Sequence, residues 1–360
     1  MVKLSTAVHV WPQLGLRRIS LFALLALLVI AFVLSLAIGS VNIPPDNVGR
    51  ILLGGVPDRA TWADIVLKFR LPKALTATLA GAALAVSGLQ MQTLFRNPLA
   101  DPYTLGVSSG ASLGVALVIL GAGATGTFLL SGISLLGDLG LATAAGIGAA
   151  LTMLAVLFVA NRLQNTVILL ILGVMFGYLA SALVSLLIYF SLPERIQSFT
   201  LWSAGSFAGV TWSQMRIFAP LLVVGLGLAG LLPKSLNALL LGETYARTLG
   251  LNVGRARLGI ILSASLLAGT VTAFCGPIGF LGVAVPHLCR GIFNTADHRV
   301  LVPTTVFLGA IMALLADLIA QLPGSQYVLP LNVVTSLFGV PVIVWVILRQ
   351  RQMRTAFGGA

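Results

Sequence analysis

Charged side chains are scarce in this sequence. Asp, Glu, Lys and Arg together make up only 8% of its 360 residues, whereas hydrophobic residues make up 58%. A soluble domain carries roughly 25% charged residues, so this chain could not cover a water-facing surface, and a large soluble protein is excluded. Lipid must solvate the outside, and the backbone must satisfy its own polar groups as helices or as a closed barrel. Unbroken apolar runs such as 21–38 exclude the alternating pattern of a barrel, so the sequence predicts an all-α polytopic membrane protein.

Groups that carry catalysis or bind metals are also rare. The two cysteines, Cys275 and Cys289, lie in apolar contexts, and the three histidines are scattered at positions 9, 287 and 298. This distribution does not indicate a disulfide framework or a metal site. The sequence contains no H-E-x-x-H and no Walker A pattern. We therefore expect a protein that is not an enzyme, has no catalytic residues, and binds no metal or cofactor of its own.

Ten apolar segments are candidates for membrane spans, which need about 20 mostly apolar residues each. Arg17 and Arg18 precede the first segment, whose apolar run is longer than the ~7–15 residues of a signal-peptide core. We therefore predict an uncleaved first span, although residues 37–40 weakly resemble a cleavage site. The ten predicted spans are 19–39, 65–91, 104–121, 141–160, 167–190, 214–232, 258–275, 279–292, 301–320 and 330–348.

The basic residues orient these spans. Ten spans place both termini on one side of the membrane, and 14 of the 21 Lys and Arg residues then fall on that side. Because cytoplasmic loops carry an excess of Lys and Arg, both termini are predicted to be cytoplasmic. The same loops account for the net charge of +12, and no basic–aromatic stretch indicates a nucleic-acid partner.

A weak internal similarity suggests a repeat. Arg-Leu-Pro-Lys-Ala-Leu at 70–75 and Arg-Ala-Arg-Leu at 255–258 are each followed by Leu-Ala-Gly, five spans apart. Because an odd offset reverses the direction of a span, the similarity indicates inverted repeats, a common transporter architecture.

Ionisable residues inside the spans are nearly absent. Asp317 lies near the outer end of the ninth segment, and the other acids, including Asp101, Glu243 and Asp297, fall in predicted loops. A proton- or sodium-coupled carrier normally needs a carboxylate near the midplane. This scarcity disfavours a secondary transporter and a membrane-embedded enzyme. An uncoupled channel or scaffold is the third alternative, and co-purification of an ATPase subunit would separate all three from an ATP-driven importer.

Residues 239–253 form the most informative part of a polar stretch at 233–257, between two spans on the predicted cytoplasmic side. The pattern predicts one short helix closed by Gly250, followed by a turn. Such a helix could move both flanking spans when force is applied to it, or it could be an ordinary amphipathic loop.

Ordered motifs resemble those of a known family. The chain is similar to the permease subunits of ABC importers for iron–siderophore complexes, haem and vitamin B12, the FecCD/BtuC-type family, over about residues 65–345. The matching motifs are Arg-Leu-Pro-Lys at 70–73, Leu-Ala-Gly-Ala-Ala-Leu-Ala-Val-Ser-Gly-Leu-Gln at 79–90, Arg-Asn-Pro-Leu-Ala-Asp-Pro at 96–102, Leu-Gly-Val-Ser-Ser-Gly-Ala at 105–111, Gly-Glu at 242–243, Gly-Pro-Ile-Gly-Phe-Leu-Gly at 276–282, Pro-His-Leu-Cys-Arg at 286–290, Asp-His-Arg at 297–299 and Gly-Val-Pro at 339–341.

The resemblance implies one transmembrane permease domain, 1–360, that pairs with a second copy in the bacterial inner membrane. It implies an ABC ATP-binding subunit dimer that carries ATP and Mg, and a periplasmic or lipid-anchored substrate-binding protein. Iron–siderophore complexes rank first as cargo, ahead of haem and cobalamin. The residues implied to contact the ATPase subunit are Gly242, Glu243, Ala246, Arg247, Leu249 and Gly250.

Other positions receive roles from the same resemblance. Arg70 and Lys73 are implied to dock the binding protein, with snorkelling at the outer interface as the alternative. The residues implied to be structural are Asn97, Pro98, Gly106, Pro277, Pro286 and His287. His298 is expected to be solvated or to cap a helix.

The chain departs from the family pattern at the end of its ninth segment. The family usually has an Arg, a Glu and a Gly where this sequence has Gln321, Val328 and Asn332. These departures put the usual docking arrangement in doubt, though not the fold.

Overall fold

The computed structural model of the protein describes residues 13–39, 41–121, 138–162, 166–322 and 327–357. Within these ranges all regular secondary structure is helical. A π-helical turn, Ile65–Arg70, joins α3 to α4, and a 3₁₀ turn, Pro102–Leu105, precedes α5. The α-helices are α1 (Gln13–Ala37), α2 (Pro45–Leu52), α3 (Ala60–Asp64), α4 (Leu71–Leu94), α5 (Val107–Ile119), α6 (Asp138–Arg162), α7 (Thr166–Tyr189), α8 (Pro193–Ser203), α9 (Trp212–Leu231), α10 (Pro233–Leu240), α11 (Glu243–Thr248), α12 (Val253–Cys275), α13 (Leu281–Phe293), α14 (His298–Ala320) and α15 (Leu331–Phe357).

Ten apolar helices lie where the sequence predicts spans. Six of those in the described ranges are long and apolar enough to cross a bilayer by themselves: the continuous helix 60–94, α6, α7, α9, α12 and α14. Shorter apolar helices lie within α1 and α15 and form α5 and α13. The prediction of an all-α membrane protein with about ten spans is confirmed. The sequence did not predict α2 and α8, two short helices on the outer side.

Small residues allow the two central helices, α4 and α12, to be almost completely buried. Glycines bring α4 into backbone contact with its neighbours. A Cβ atom on Gly81 would lie 2.3 Å from the carbonyl oxygen of Gly309 in α14, and one on Gly88 would lie 1.8 Å from that of Gly282 in α13. These distances leave no room for any side chain, so the Gly- and Ala-rich sequence of α4 sets the spacing of the bundle centre.

Two non-helical segments interrupt the bundle at corresponding places. Residues 95–101 follow α4, residues 276–280 follow α12, and each leads towards a helix of only 13 residues, α5 or α13. Helix α4 packs against α13 and α14, whereas α12 packs against α5 and α6. The five helices α1, α4, α5, α6 and α7 thus correspond to α9, α12, α13, α14 and α15 in reverse orientation, as the inverted-repeat interpretation predicts.

Candidate functional site

The polar stretch between α9 and α12 folds as two short helices, α10 and α11, which we call the cytoplasmic helix pair. Gly242 separates them with a φ of 104°, and Gly250 follows α11 with a φ of 82°. Residues with a Cβ rarely adopt these angles, so both positions favour glycine. The predicted short helix closed by Gly250 is present as α11. Helix α10, which precedes it, was not predicted, and the backbone at Gly242 separates the two.

The cytoplasmic helix pair has a buried side and an exposed side. Leu236, Leu239 and Ala246 are buried against the bundle. On the opposite side Tyr245 is 53% exposed and Leu249 is 60% exposed. Surface leucines and tyrosines at this density, on a short ordered element, are typical of a surface that receives a partner.

The predicted ATPase-contact residues divide between these two sides. Gly242 and Ala246 are buried, and Glu243 is half-buried, whereas Arg247, Leu249 and Gly250 face outwards. The sequence analysis did not select Leu241 and Tyr245, although both are exposed residues that lie next to or between buried ones along the chain. A hollow of about 430 Å³ adjoins the pair, and it is lined by Arg96, Leu241, Gly242, Glu243, Thr244, Tyr245 and Thr248.

An ion pair fixes α11 to the start of α12. Arg257 NH2 lies 2.6 Å from Glu243 Oε1, and the Arg257 side chain is only 7% exposed. The side chain of Asn252 caps α12 by accepting a hydrogen bond from the Arg255 N–H at 3.0 Å. The ion pair therefore anchors the helix pair to the central helix α12, and the Asn252 cap fixes where α12 begins.

A hydrogen-bonded chain links α10 to α14 and α4. Asn237 in α10 contacts Asp297 and His298 at the start of α14, and His298 contacts Thr93 at the end of α4. His298 is 1% exposed, so the expectation of a solvated position was wrong. The side-chain cap of α14 is Asp297, which accepts a hydrogen bond from the Arg299 N–H at 2.9 Å.

The segment after α4, 95–101, and the 3₁₀ turn that follows it contact α13 and the segment before it. His287 Nε2 lies 2.7 Å from the Pro98 carbonyl oxygen, and Tyr103 Oη lies 3.1 Å from the carbonyl oxygen of Ile278. These contacts satisfy backbone carbonyls that have no partner within a helix. Asp101 caps the 3₁₀ turn by accepting from the Tyr103 N–H at 2.6 Å.

The remaining motif positions lie at turns and close contacts. Asn97 Oδ1 accepts from the Leu99 N–H at 3.0 Å. Gly106 has a φ of 76°, and a Cβ there would lie 2.9 Å from the Gly173 carbonyl oxygen. Pro286 lies inside α13, and Pro277 precedes it in the non-helical segment.

At the outer end of α4, Arg70 and Lys73 make internal contacts. Arg70 is 8% exposed, and it donates to the carbonyl oxygens of Leu36, Ala37 and Val41, two of them at 2.8 and 2.9 Å. A cation placed there complements the last carbonyls of α1. Lys73 Nζ lies 3.0 Å from Asp317 Oδ1. Docking by Arg70 and Lys73 stays a prediction, and the structure adds a second, internal role for both.

The three departures from the family pattern have different environments. Gln321 donates from Nε2 to Asp317 Oδ2 at 2.8 Å, so it continues the Lys73–Asp317 contact. Asn332 donates to the Pro277 carbonyl oxygen at 2.6 Å and accepts from the Gly279 N–H at 2.9 Å, which holds the non-helical segment 276–280. Val328 is 69% exposed.

We expect Lys73→Met to destabilise the protein by about 3 kcal/mol, because it leaves the buried Asp317 carboxylate without its cation. Thermal unfolding in detergent measures the change. Lys68→Met is the matched control: its ammonium lies 2.7 Å from Asp64, but both side chains are about two-thirds exposed, and such pairs contribute about 0–1 kcal/mol. The double variant with Lys73→Met and Asp317→Asn is expected to recover most of the loss. Equal stability of the two single variants would contradict the assignment.

Helix α7 has a side that is exposed along most of its length. Helix α7 exposes Tyr178 to 68% and Leu179 to 58%, together with the hydroxyl residues Ser181 and Ser185. Residues 167–189 contain no charged side chain. This face presents mixed apolar and hydroxyl groups.

Comparisons with known proteins give one consistent result. The chain matches the FecCD transport family over residues 27–349. It is 38% identical over 332 residues to the vitamin B12 import system permease protein BtuC of Klebsiella pneumoniae, covering 92% of this chain and 94% of that one. It is 39% identical over 341 residues to the hemin transport system permease protein HmuU of Yersinia pestis, covering 94% and 98%. A solved metal-chelate type ABC transporter in an inward-facing conformation superposes with a TM-score of 0.77 at 33% identity, covering 92% of this chain and 99% of the other.

Proposed function

This chain belongs to the FecCD transport family, and on that premise we propose that it carries an iron chelate, in the first place a siderophore complex, across the bacterial inner membrane. It is a multi-pass permease of an ABC importer and not a catalytic enzyme. In our proposal the whole chain, 1–360, is one permease domain. It pairs with a second copy, with a dimer of ATP-binding subunits that hold ATP and Mg, and with a substrate-binding protein.

The observation that carries the energy-coupling part is the cytoplasmic helix pair. It exposes Leu241, Tyr245 and Leu249, yet it is anchored to α12 through the Glu243–Arg257 ion pair and to α14 through Asn237. An element with this combination can bind a partner on one side and move transmembrane helices on the other. ATP binding closes the partner subunits, the helix pair moves with them, and the bundle shifts between inward and outward openings.

The exposed face of α7 supports the pairing of two copies. Its tyrosine, leucine and serine side chains suit a wall shared between two chains, and the absence of charge lets a bulky solute pass without tight binding. A wall of this kind would release the cargo readily, whereas a tight binding site in the pathway would retain it.

The relatives favour metal chelates with a large organic ligand as cargo. Two of them are named for vitamin B12 and hemin, and the structural neighbour is named for a metal chelate. Haem and cobalamin are therefore the rival cargoes to a siderophore complex. All three present a metal enclosed by an organic framework, so the permease would not have to ligate the metal itself. In the part of the chain that the structure describes, no group of three or more His, Cys, Asp or Glu side chains could hold a metal ion.

The test is to purify the chain with its ATP-binding and substrate-binding partners and to identify the bound ligand by mass spectrometry. Proteoliposomes containing the complex are then offered an ⁵⁵Fe-loaded trihydroxamate chelate, hemin and cyanocobalamin in parallel. We expect uptake of the iron chelate that requires ATP and is insensitive to collapse of ion gradients. Uptake driven by an ion gradient, without any ATPase subunit, would overturn the proposal in favour of a secondary transporter.

A further inference from the structure

The side chain of Asn237 makes three contacts, and all of them reach another helix. Its Oδ1 lies 2.8 Å from the backbone N–H of His298 and 2.8 Å from His298 Nδ1, and its Nδ2 donates to Asp297 Oδ1 at 2.7 Å. Asp297 caps α14 through the Arg299 N–H, and Asn237 satisfies the His298 N–H of the same first turn from a different helix. These bonds therefore serve to fasten α10 to α14.

The His298 ring continues the connection to α4. Asn237 Oδ1 can only accept, so Nδ1 of His298 carries a proton, and in the neutral ring Nε2 is an acceptor. Nε2 lies 2.8 Å from Thr93 Oγ1, whose hydroxyl can donate to it or to the Leu89 carbonyl oxygen at 2.9 Å. One buried imidazole thus bridges the first turn of α14 and the last turn of α4.

Helices α4 and α14 are packed as one rigid unit. The backbones at Gly81 and Gly309 are in direct contact, and the Lys73–Asp317 ion pair joins the outer ends of the two helices at 3.0 Å. A helix of 24 residues is about 36 Å long, so α4 reaches across the whole membrane. A displacement applied to the cytoplasmic end of this unit is therefore delivered to its outer end.

We propose that Asn237 and His298 are positioning residues that transmit the movement of the cytoplasmic helix pair to the α4–α14 unit. This inference rests on the importer function proposed above, and it identifies the route by which force from the ATPase subunit reaches the outer side. The Glu243–Arg257 ion pair serves α12 in the same way, so the two central helices receive the movement through separate contacts.

Three substitutions break the connection, one at its first link and two at its second. Asn237→Ala removes the link from α10 to α14. Thr93→Val keeps the side-chain shape and removes the link from α14 to α4. His298→Asn places an amide donor near the Nδ1 position and loses the Nε2 contact, so it keeps the first link and breaks the second. The matched control is Thr76→Val, since Thr76 is also buried in α4 but its hydroxyl donates only to the Pro72 carbonyl oxygen of its own helix, at 2.7 Å.

The experiment uses the full complex with its ATP-binding and substrate-binding partners in proteoliposomes. It measures uptake per ATP hydrolysed, with whichever of the ⁵⁵Fe trihydroxamate chelate, hemin and cyanocobalamin the wild type transports. We expect Asn237→Ala, Thr93→Val and His298→Asn to assemble with the ATPase subunit and to hydrolyse ATP, but to lower this ratio at least ~5-fold. Thr76→Val is expected to keep the wild-type ratio.

The possible outcomes separate the two proposals. If the wild type is coupled and all three variants keep its ratio, the inference is overturned while the importer function stands. If the variants lose assembly with the ATPase subunit in proportion to uptake, Asn237 and His298 only hold the structure together, and the inference is again overturned. If the wild type binds no ATPase subunit and shows no ATP-dependent uptake, the proposed function itself fails and this inference falls with it.

Discussion

Replacing Gly88 with valine is expected to abolish the folded permease. A Cβ atom at this position would lie 1.8 Å from the carbonyl oxygen of Gly282 and 2.6 Å from its Cα. The obstacle is backbone and not a flexible side chain, so α4 and α13 would have to separate along their contact. Overpacking of a core typically costs 1–3 kcal/mol when side chains can adjust, and it costs more here. Against a total stability of about 5–15 kcal/mol, we expect loss of monodisperse protein in size-exclusion chromatography of detergent extracts.

The control for this substitution is Gly227→Val in α9. Gly227 faces outwards, and a Cβ atom there would meet nothing within 4 Å. Valine at a lipid-facing position of a helix should leave yield and unfolding temperature close to those of the wild type. If Gly88→Val were recovered at the same yield and unfolding temperature as Gly227→Val, the close approach of α4 and α13 would be wrong.

Aspartate at both Tyr245 and Leu249 is expected to weaken binding of the ATPase subunit roughly 100-fold or more. Both side chains are more than half exposed on the cytoplasmic helix pair, so the permease itself should remain folded. Anchor residues of this type commonly contribute 2 kcal/mol or more each to an interface, and a buried carboxylate without a partner adds a desolvation cost. The measurement is the dissociation constant between the purified permease and its ATP-binding partner.

Ile292→Asp is the matched control for that double variant. Ile292 is 62% exposed at the cytoplasmic end of α13, so it tests the effect of a new carboxylate on the same face away from the helix pair. We expect its affinity for the ATPase subunit to stay within about twofold of the wild type, as for most exposed substitutions. If Ile292→Asp weakened binding as much as the double variant, the partner surface would not be centred on α10 and α11.

The ten spans could be predicted from the sequence because a bilayer requires a long apolar run for each crossing. The helix ends agree with the predicted spans to within a few residues at most positions; α6, for example, is Asp138–Arg162 where 141–160 was predicted. The break after the second span was predicted at 96–102, but the packing of segment 95–101 was not, since Asn97, Pro98 and Asp101 have the composition of an external loop. Only the distant contact with His287 shows that the segment lies along a membrane helix.

The polar contacts of the candidate site were also beyond local reasoning. Lys73 and Asp317 form an ion pair across most of the chain, and Thr93 meets His298 across 205 positions. Nothing in the local sequence distinguishes a lysine that pairs internally from one that faces water. The helix closed by Gly250 could be recognised because glycines at 242 and 250 accompany a short amphipathic stretch. Which of its side chains face outwards, Tyr245 among them, depends on how it packs against α12.

The burial of α4 has a consequence for how the chain is made. Gln90 in α4 bonds to Ser263, which follows 173 positions later, and Gln92 bonds to Arg290, 198 positions later. At synthesis rates of ~5–20 residues per second, these partners emerge from the ribosome roughly 10–40 s after α4. During that interval α4 holds polar side chains in the membrane that have no partner helix. The first five spans are therefore inserted before the central helix α4 has its partners. The packing at the centre of the protein is completed only when the later helices have been synthesised.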